Sequence, residues 1–311
     1  VSSMAIFTTT VRARTARGKE IMLSVGGING VATLPEFRRR GFGGKLLLDC
    51  HAKMRANGCD IALLTTDIDN WYRRFGWERG AQRWTFTIDR GAHHYLPQLE
   101  DSLLVEEATM TTSALADVSH LHRAEPLGAQ RRSELDSLLL NRLGNRLFVV
   151  RHTDRFLAYV VVRGDQILEH GGPSEVTAGL IRTIFEEADD CDLSTSGRDE
   201  NDATSTLRMT IHTPPVHDGL SHLLDELGMP FNRTYLGMIY VVNPQQLMHK
   251  ITPHLTIEET TEEQILIHNR TDQLRIGRRE MVKLLFGPER ISSFMKEGVP
   301  VSFYQWPLDW V

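Results

Sequence analysis

The chain has 311 residues, 41% of them hydrophobic and 24% charged, with a formal net charge of -5. This length can bury more than one core, so two or three domains are expected, and the acidic balance excludes a general nucleic-acid binder, whose surface would be basic. No apolar run approaches membrane-spanning length and no basic-then-apolar leader opens the chain. Cys50, Cys59 and Cys191 are an odd, scattered set, so a cytoplasmic protein with reduced thiols is expected.

Taken in order, the first hundred residues alternate between strand and helix patterns. Residues 6–14 and 20–25 read as strands joined by a turn at Arg17-Gly18, and 28–34 as a further strand. Residues 43–56 read as a helix, with Leu47, Cys50 and Met54 on one face and Asn57-Gly58 closing it. Residues 60–66 are a short buried strand, parallel to the one before if the helix is a crossover. Asp69 opens a short helix to Phe75, and 83–89 return as a strand.

Residues 91–101 are polar, contain Pro97 and read as a linker. A second α/β stretch follows, with helices over 115–124, 132–143, 176–188 and 217–227. Its strands fall at 147–152, 156–163, 166–169, 207–213 and 235–242, and the acidic run 189–205 reads as a loop. From Asn243 the pattern is α+β: helices over 244–249, 278–286 and 289–295, and strands over 264–268 and 273–276. The fold class is therefore α/β followed by α+β. Expected domains are 1–98, 99–242 and 243–311. The aromatic ending Tyr304-Gln305-Trp306-Pro307-Leu308-Asp309-Trp310-Val311 is unlike a frayed polar tail and suggests that the last carboxylate is pinned.

The most informative segment is Val31-Ala32-Thr33-Leu34-Pro35, then Arg38-Arg39-Arg40-Gly41-Phe42-Gly43-Gly44, running into Lys45-Leu46-Leu47. A strand, a basic glycine-rich turn and a helix start present free amides to phosphate oxygens. The glycine spacing fits neither a dinucleotide fingerprint nor a P-loop. A turn that is basic and glycine-rich only for steric reasons is the competing reading of these residues alone. The pairs His93-His94, His120 with His122 and His217 with His222 lack a zinc-ligand pattern, so no metal is expected.

Arg38-x-x-Gly41-x-Gly43 resembles motif A of the GCN5-related N-acetyltransferases (GNAT), and Tyr72-Arg73-Arg74-Phe75-Gly76-Trp77 resembles their motif B. The longer organisation is similar to the Eis-like aminoglycoside acetyltransferases, which carry a second degenerate GNAT domain and a small sterol-carrier-protein-like domain. The residues behind this likeness are Gly26-Gly27-Ile28, Leu284-Leu285-Phe286-Gly287 and the ending at Val311. Against the family pattern, the first domain lacks its opening strand and helices, and the last domain is short. The chain also begins at Val1 rather than Met, so a native segment upstream is one explanation.

The resemblance implies acetyl-CoA as donor, coenzyme A as product and a small amine, such as an aminoglycoside, as acceptor. It implies a homo-oligomer, with a hexamer as the form common in that branch. Amides over Arg39, Arg40, Gly41, Gly43 and Gly44, with Arg38 at the rim, would hold the pyrophosphate; Val31, Ala32 and Thr33 would pair with the pantetheine arm. Tyr72 would be the general acid and the terminal carboxylate of Val311 the base. A noncatalytic acyl-CoA-binding or regulatory module is the alternative function.

Overall fold

The computed structural model describes residues 2–109, 111–195, 208–217, 219–259, 264–269, 272–287 and 298–309, without the side chains of Ser133, residues 189–195 and Glu259. The chain divides into two compact units, one of residues 1–82, 235–305 and 311, the other of 83–234 and 306–310.

In the first unit, β1 (Ser2–Arg14) and β2 (Glu20–Thr33) form an antiparallel pair, and α1 (Phe42–Ala56) crosses over to β3 (Ile61–Leu64). The expected parallel pairing of the strands on either side of α1 is present: Val25 faces Ile61, Gly26 faces Ala62 and Gly27 faces Leu63. The helix α2 (Asp69–Arg73) leads to β4 (Glu78–Asp89), and β11 (Phe231–Val241) returns antiparallel to β3. The order is β15-β1-β2-β3-β11, where β15 is Ser302–Phe303. After β11 come α7 (Pro244–Ile251), the antiparallel sheet β12 (Thr256–Glu259), β13 (Gln264–His268) and β14 (Gln273–Gly277), and α8 (Arg278–Phe286).

The core of this unit forms because α1 places Leu47, Cys50 and Met54 on one stripe, against Ile28, Ala62, Leu64, Trp77 and Met238. All four residues of β3 are buried, as a central strand covered on both faces requires. Asp60 pins the neighbouring elements. Its carboxylate accepts from the Ser24 amide at 2.7 Å, Gln246 Nε2 at 2.8 Å and Lys250 Nζ at 2.6 Å.

Residues 20–25 and 28–34, expected as separate strands, form one strand through Gly26 and Gly27. The glycines do not break it because other side chains occupy their missing Cβ positions. A Cβ on Gly27 would lie 1.8 Å from the Phe7 ring, and one on Gly26 would lie 2.7 Å from Met54 Sδ.

In the second unit, β5 (Leu104–Glu107), β7 (Arg146–His152), β8 (Arg155–Arg163) and β9 (Gln166–Gly171) form an antiparallel run. Strand β10 (Arg208–Thr213) joins β9 in parallel and pairs antiparallel with residues 84–89 of β4. One face carries α5 (Ser174–Thr195) and α6 (Leu220–Glu226), packed through Leu180, Ile181, Phe185 and Leu224. The other carries α3 (Thr112–Ala124) and α4 (Ser133–Leu140), with Val118, Leu139 and Leu308 in its core. The short β6 (Gly128–Gln130) lies between those helices in sequence.

Residues 189–195, expected in a loop, continue α5 to Thr195; the acidic run favours helix as readily as coil when it extends a helix already nucleated. Residues 196–205 and the helix expected over 289–295 lie outside the described residues. Among the described residues no helix is long and apolar enough to cross a membrane.

Candidate active site

The parallel pairing of β2 with β3 extends to Gly27 and Leu63, and β3 stops at Leu64 while β2 runs on to Thr33. Along this last stretch the partner register with β1 slips: Ser3 faces Ala32 but Ala5 faces Asn29, so Gly30 and Val31 oppose Met4 alone. This is a β-bulge, with Gly30 at φ 64°. Val31 and Ala32 are exposed and Thr33 is half-buried in this stretch, which lies beyond the residues of β2 that pair with β3.

The turn after β2 is a single 3-10 turn over Pro35–Phe37, locked by the ring of Pro35 and closed where Arg38 Nε donates to the Thr33 carbonyl at 3.0 Å. Arg38, Arg39 and Arg40 are all exposed, and the Arg40 guanidinium lies 5.5 Å from the centroid of the Phe37 ring. Gly41 stands at φ 80° as the residue before α1, and no side chain caps the helix. The amides of Phe42, Gly43 and Gly44 are in the first turn, where a helix has no internal acceptor for them. A Cβ on Gly41 would meet nothing within 4 Å. The positive backbone end, the bulged strand and the exposed guanidiniums therefore suit a diphosphate joined to an extended arm.

Motif B lies beside motif A. The space next to Gly43 holds Trp71 at 3.5 Å and Thr33 Oγ1 at 3.7 Å, so the end of β2, the start of α1 and helix α2 converge there. Gly44 is required because a Cβ would lie 2.9 Å from the Phe75 ring. Tyr72 packs edge-on to Trp71 with centroids 4.7 Å apart and to Trp77 at 6.0 Å, in the same core as Ile28 of β2. Burial raises its phenol above the ordinary tyrosine range, so it keeps its proton. Among the site residues read from the sequence, Val31 through Gly44 and Tyr72 belong to one region; Val311 lies outside the described residues.

The approach to Val311 is described as far as Asp309. Trp306 is fully buried, and Asp309 Oδ2 accepts from the Trp306 amide at 3.1 Å. Asp309 Oδ1 also accepts from Arg131 Nε at 2.5 Å, while Arg131 bonds both oxygens of Glu169. Tyr159 donates to Glu169 at 2.7 Å and His122 Nδ1 lies 3.3 Å from it. Burial alone would raise Glu169, but Arg131 and His122 overcome it and hold the carboxylate well below its usual range. This buried ionic group was not recognised from sequence. Its signal was a charge inside an apolar strand run, Ile167-Leu168-Glu169-His170.

Residues 1–80 match the family model described as "Acetyltransferase (GNAT) domain". No curated protein matches the chain. Among solved structures, one similar chain is a conserved protein of Enterococcus faecalis V583 described as a probable N-acyltransferase. The identity is 14%, the TM-score is 0.61, and the alignment covers 89% of this chain and 71% of the other. A GCN5-related N-acetyltransferase from Kribbella flavida gives 16% identity and a TM-score of 0.58, covering 89% and 69% respectively. Eis1 from Mycobacterium abscessus gives 13% identity and a TM-score of 0.56, covering 91% and 78%. Identities this low speak to the fold, which is of the GNAT type as expected from the motifs. With the family match over residues 1–80 and motif A on the bulged strand and open helix start, the chain is an acetyl-CoA-dependent transferase.

Proposed function

We propose that the protein transfers acetyl from acetyl-CoA to the amine of a small molecule by direct attack, with an aminoglycoside as the acceptor class. The observation that carries this reading is the convergence of the bulged end of β2, the uncapped start of α1 and the helix bearing Tyr72 around Gly43. Acetyl-CoA supplies the activated thioester. Amides from Arg39 to Gly44 hold the diphosphate, Gly41 letting the chain approach without a side chain. Arg38 has a second duty, since its Nε already closes the turn on Thr33. The backbone of Val31, Ala32 and Thr33 pairs with the pantetheine arm and offers an amide to the carbonyl oxygen as charge develops.

In this reading the acceptor nitrogen forms the new C–N bond, and the C–S bond breaks. The carboxylate of Val311 takes the amine proton, and Tyr72 gives its own proton to the departing thiolate. Burial keeps this phenol protonated and so available to the departing sulfur, but by raising it further above the pKa of a thiol it makes the transfer uphill, so the hydrogen bond to the developing thiolate is the larger part of its role. The Eis-like assignment, the tandem arrangement over 1–98 and 99–242, and a sterol-carrier-like region from residue 243 belong to the same proposal. The sheet β12-β13-β14 followed by α8 supports the last of these. A homo-oligomer, hexameric as in that branch, completes it.

Replacing Tyr72 with Phe tests the mechanism. Turnover across an amine panel, followed as free thiol, should fall about 10²-fold or more while the Kd for acetyl-CoA stays within about twofold. Weakened coenzyme binding with unchanged kcat would remove Tyr72 from the chemistry.

A further inference from the structure

Within the second unit, the face of β4 and β10 turned away from α5 and α6 is polar. On β4, Phe86 and Ile88 enter the core shared with Ile181 and Phe185 of α5, and Trp84 packs against it, so Arg83, Thr85 and Thr87 project on the opposite side. Thr85 faces His212 and Thr87 faces Thr210 across the strand pair, which puts those two residues of β10 on the same side. All five are half-buried. Helix α3, on this side of the sheet, packs chiefly on β8 and β9.

Arg83 stands out among them. Its Nε is buried and has no hydrogen-bond partner, and no carboxylate pairs with its guanidinium among the described residues. A buried polar group left this way calls for a partner.

Its surroundings supply no counter-charge. Strand β10 ends at Thr213, opposite Trp84, and the chain goes on as Pro214-Pro215, where the Pro214 carbonyl is taken by the Val216 amide at 2.9 Å. On β11, Thr234 Oγ1 donates to the Arg83 carbonyl at 3.4 Å, which engages the backbone and not the guanidinium. Asp89, the carboxylate on this face of β4, lies about 20 Å along the strand. It accepts from the Gly91 amide at 2.9 Å.

The neighbour of the guanidinium is His212, and it is neutral. Burial, helped by the charge of Arg83, lowers its pKa to about 4. Its Nδ1 lies 3.1 Å from Thr85 Oγ1. With the hydroxyl as donor, the ring proton is on Nε2, and the imidazole has a donor to offer.

We propose that Arg83, His212 and Thr85 form a binding site for the carboxylate of a small polar molecule, built from residues outside motifs A and B. The planar guanidinium gives a carboxylate a forked pair of charge-assisted bonds. His212 adds a neutral donor, and the hydroxyls of Thr87 and Thr210 continue the polar face for the rest of the ligand. One cation beside a neutral imidazole balances a monoanion; a phosphate dianion would bring one charge more than the site can match.

Titration of the full chain with glycolate and with glycolamide, its uncharged counterpart, tests the site, with the ring resonances of His212 followed by NMR. Glycolate should shift them saturably at millimolar concentration and raise the pKa of His212, because an anion then faces the imidazole. Glycolamide should bind at least tenfold more weakly, and inorganic phosphate more weakly than glycolate. Arg83→Met should weaken glycolate at least tenfold and leave the Kd for acetyl-CoA within twofold. Arg83→Lys keeps the charge and loses the fork, so it should weaken glycolate by a smaller factor. No saturable shift at tens of millimolar glycolate, an equal response to glycolamide, tighter binding of phosphate, or unchanged affinity in Arg83→Met would overturn the proposal. The comparison of acid with amide uses the unaltered protein, so it decides even where Arg83→Met fails to fold.

Discussion

Glu125 shows how a single partly buried group contributes to the pH response of the second unit. Its carboxylate accepts from the Gly172 amide at 3.1 Å, yet burial outweighs that bond and the attraction of His122, and its pKa is pushed up to about 7. The folded state therefore holds a proton that the unfolded chain releases near pH 4.5. Stability from this group is complete below that value and is lost as pH climbs toward 7. Because the side chain is partly exposed, the effect is on the order of 1–2 kcal/mol once screening is allowed for. Glu125→Gln keeps the acceptor oxygen, so it should stabilise at pH 8 by about that amount and change nothing at pH 4. Urea unfolding at both pH values measures it; an equal gain at both would assign the effect to packing. At this scale the sequence placed Tyr72 on a short helix opened by Asp69, which is α2. It was silent on Glu125 and Arg131, whose partners Gly172, Glu169 and Asp309 are distant along the chain.

At the scale of elements, the turn between β2 and α1 depends on Gly41 at φ 80°. Gly41→Ala meets no steric obstacle from neighbours, so its cost is conformational alone, about 1 kcal/mol. The expected result is a small drop in thermal midpoint with a larger loss in acetyl-CoA affinity, since a relaxed turn moves the amides that hold the diphosphate. Titration calorimetry and a melting curve on the same variant separate the two effects; equal loss in both would make the turn merely structural. The strand, turn and helix of motif A could be read directly because their chemistry is local. The bulge at Gly30 and Val31 could not, because it exists only in the register against Met4. The continuity of β2 was equally hidden, since Gly26 and Gly27 are glycine for the sake of Met54 and Phe7.

For the whole molecule, the chain's last described residues sit in a different unit from those just before them. Residues 302 and 303 extend the sheet of the first unit as β15, whereas residues 306 to 310 belong to the second. Arg131 fixes Asp309, two positions short of the carboxylate assigned as base. Three residues appended after Val311 should therefore leave the melting temperature unchanged while reducing acetyl transfer about tenfold or more. Full turnover in the extended chain would release Val311 from the mechanism. The repeated α/β pattern was legible from hydrophobic periodicity, but the return of residues 235–305 to the first unit was not, because nothing local records which strand a distant segment joins. That return has a temporal consequence. A ribosome that has delivered the chain only as far as residue 100 has made both motifs, yet the wholly buried strand β3 still lacks β11 along one edge. The nascent enzyme must shelter that edge until some 140 further residues have emerged, so its yield in cells should respond to translation speed and chaperone supply.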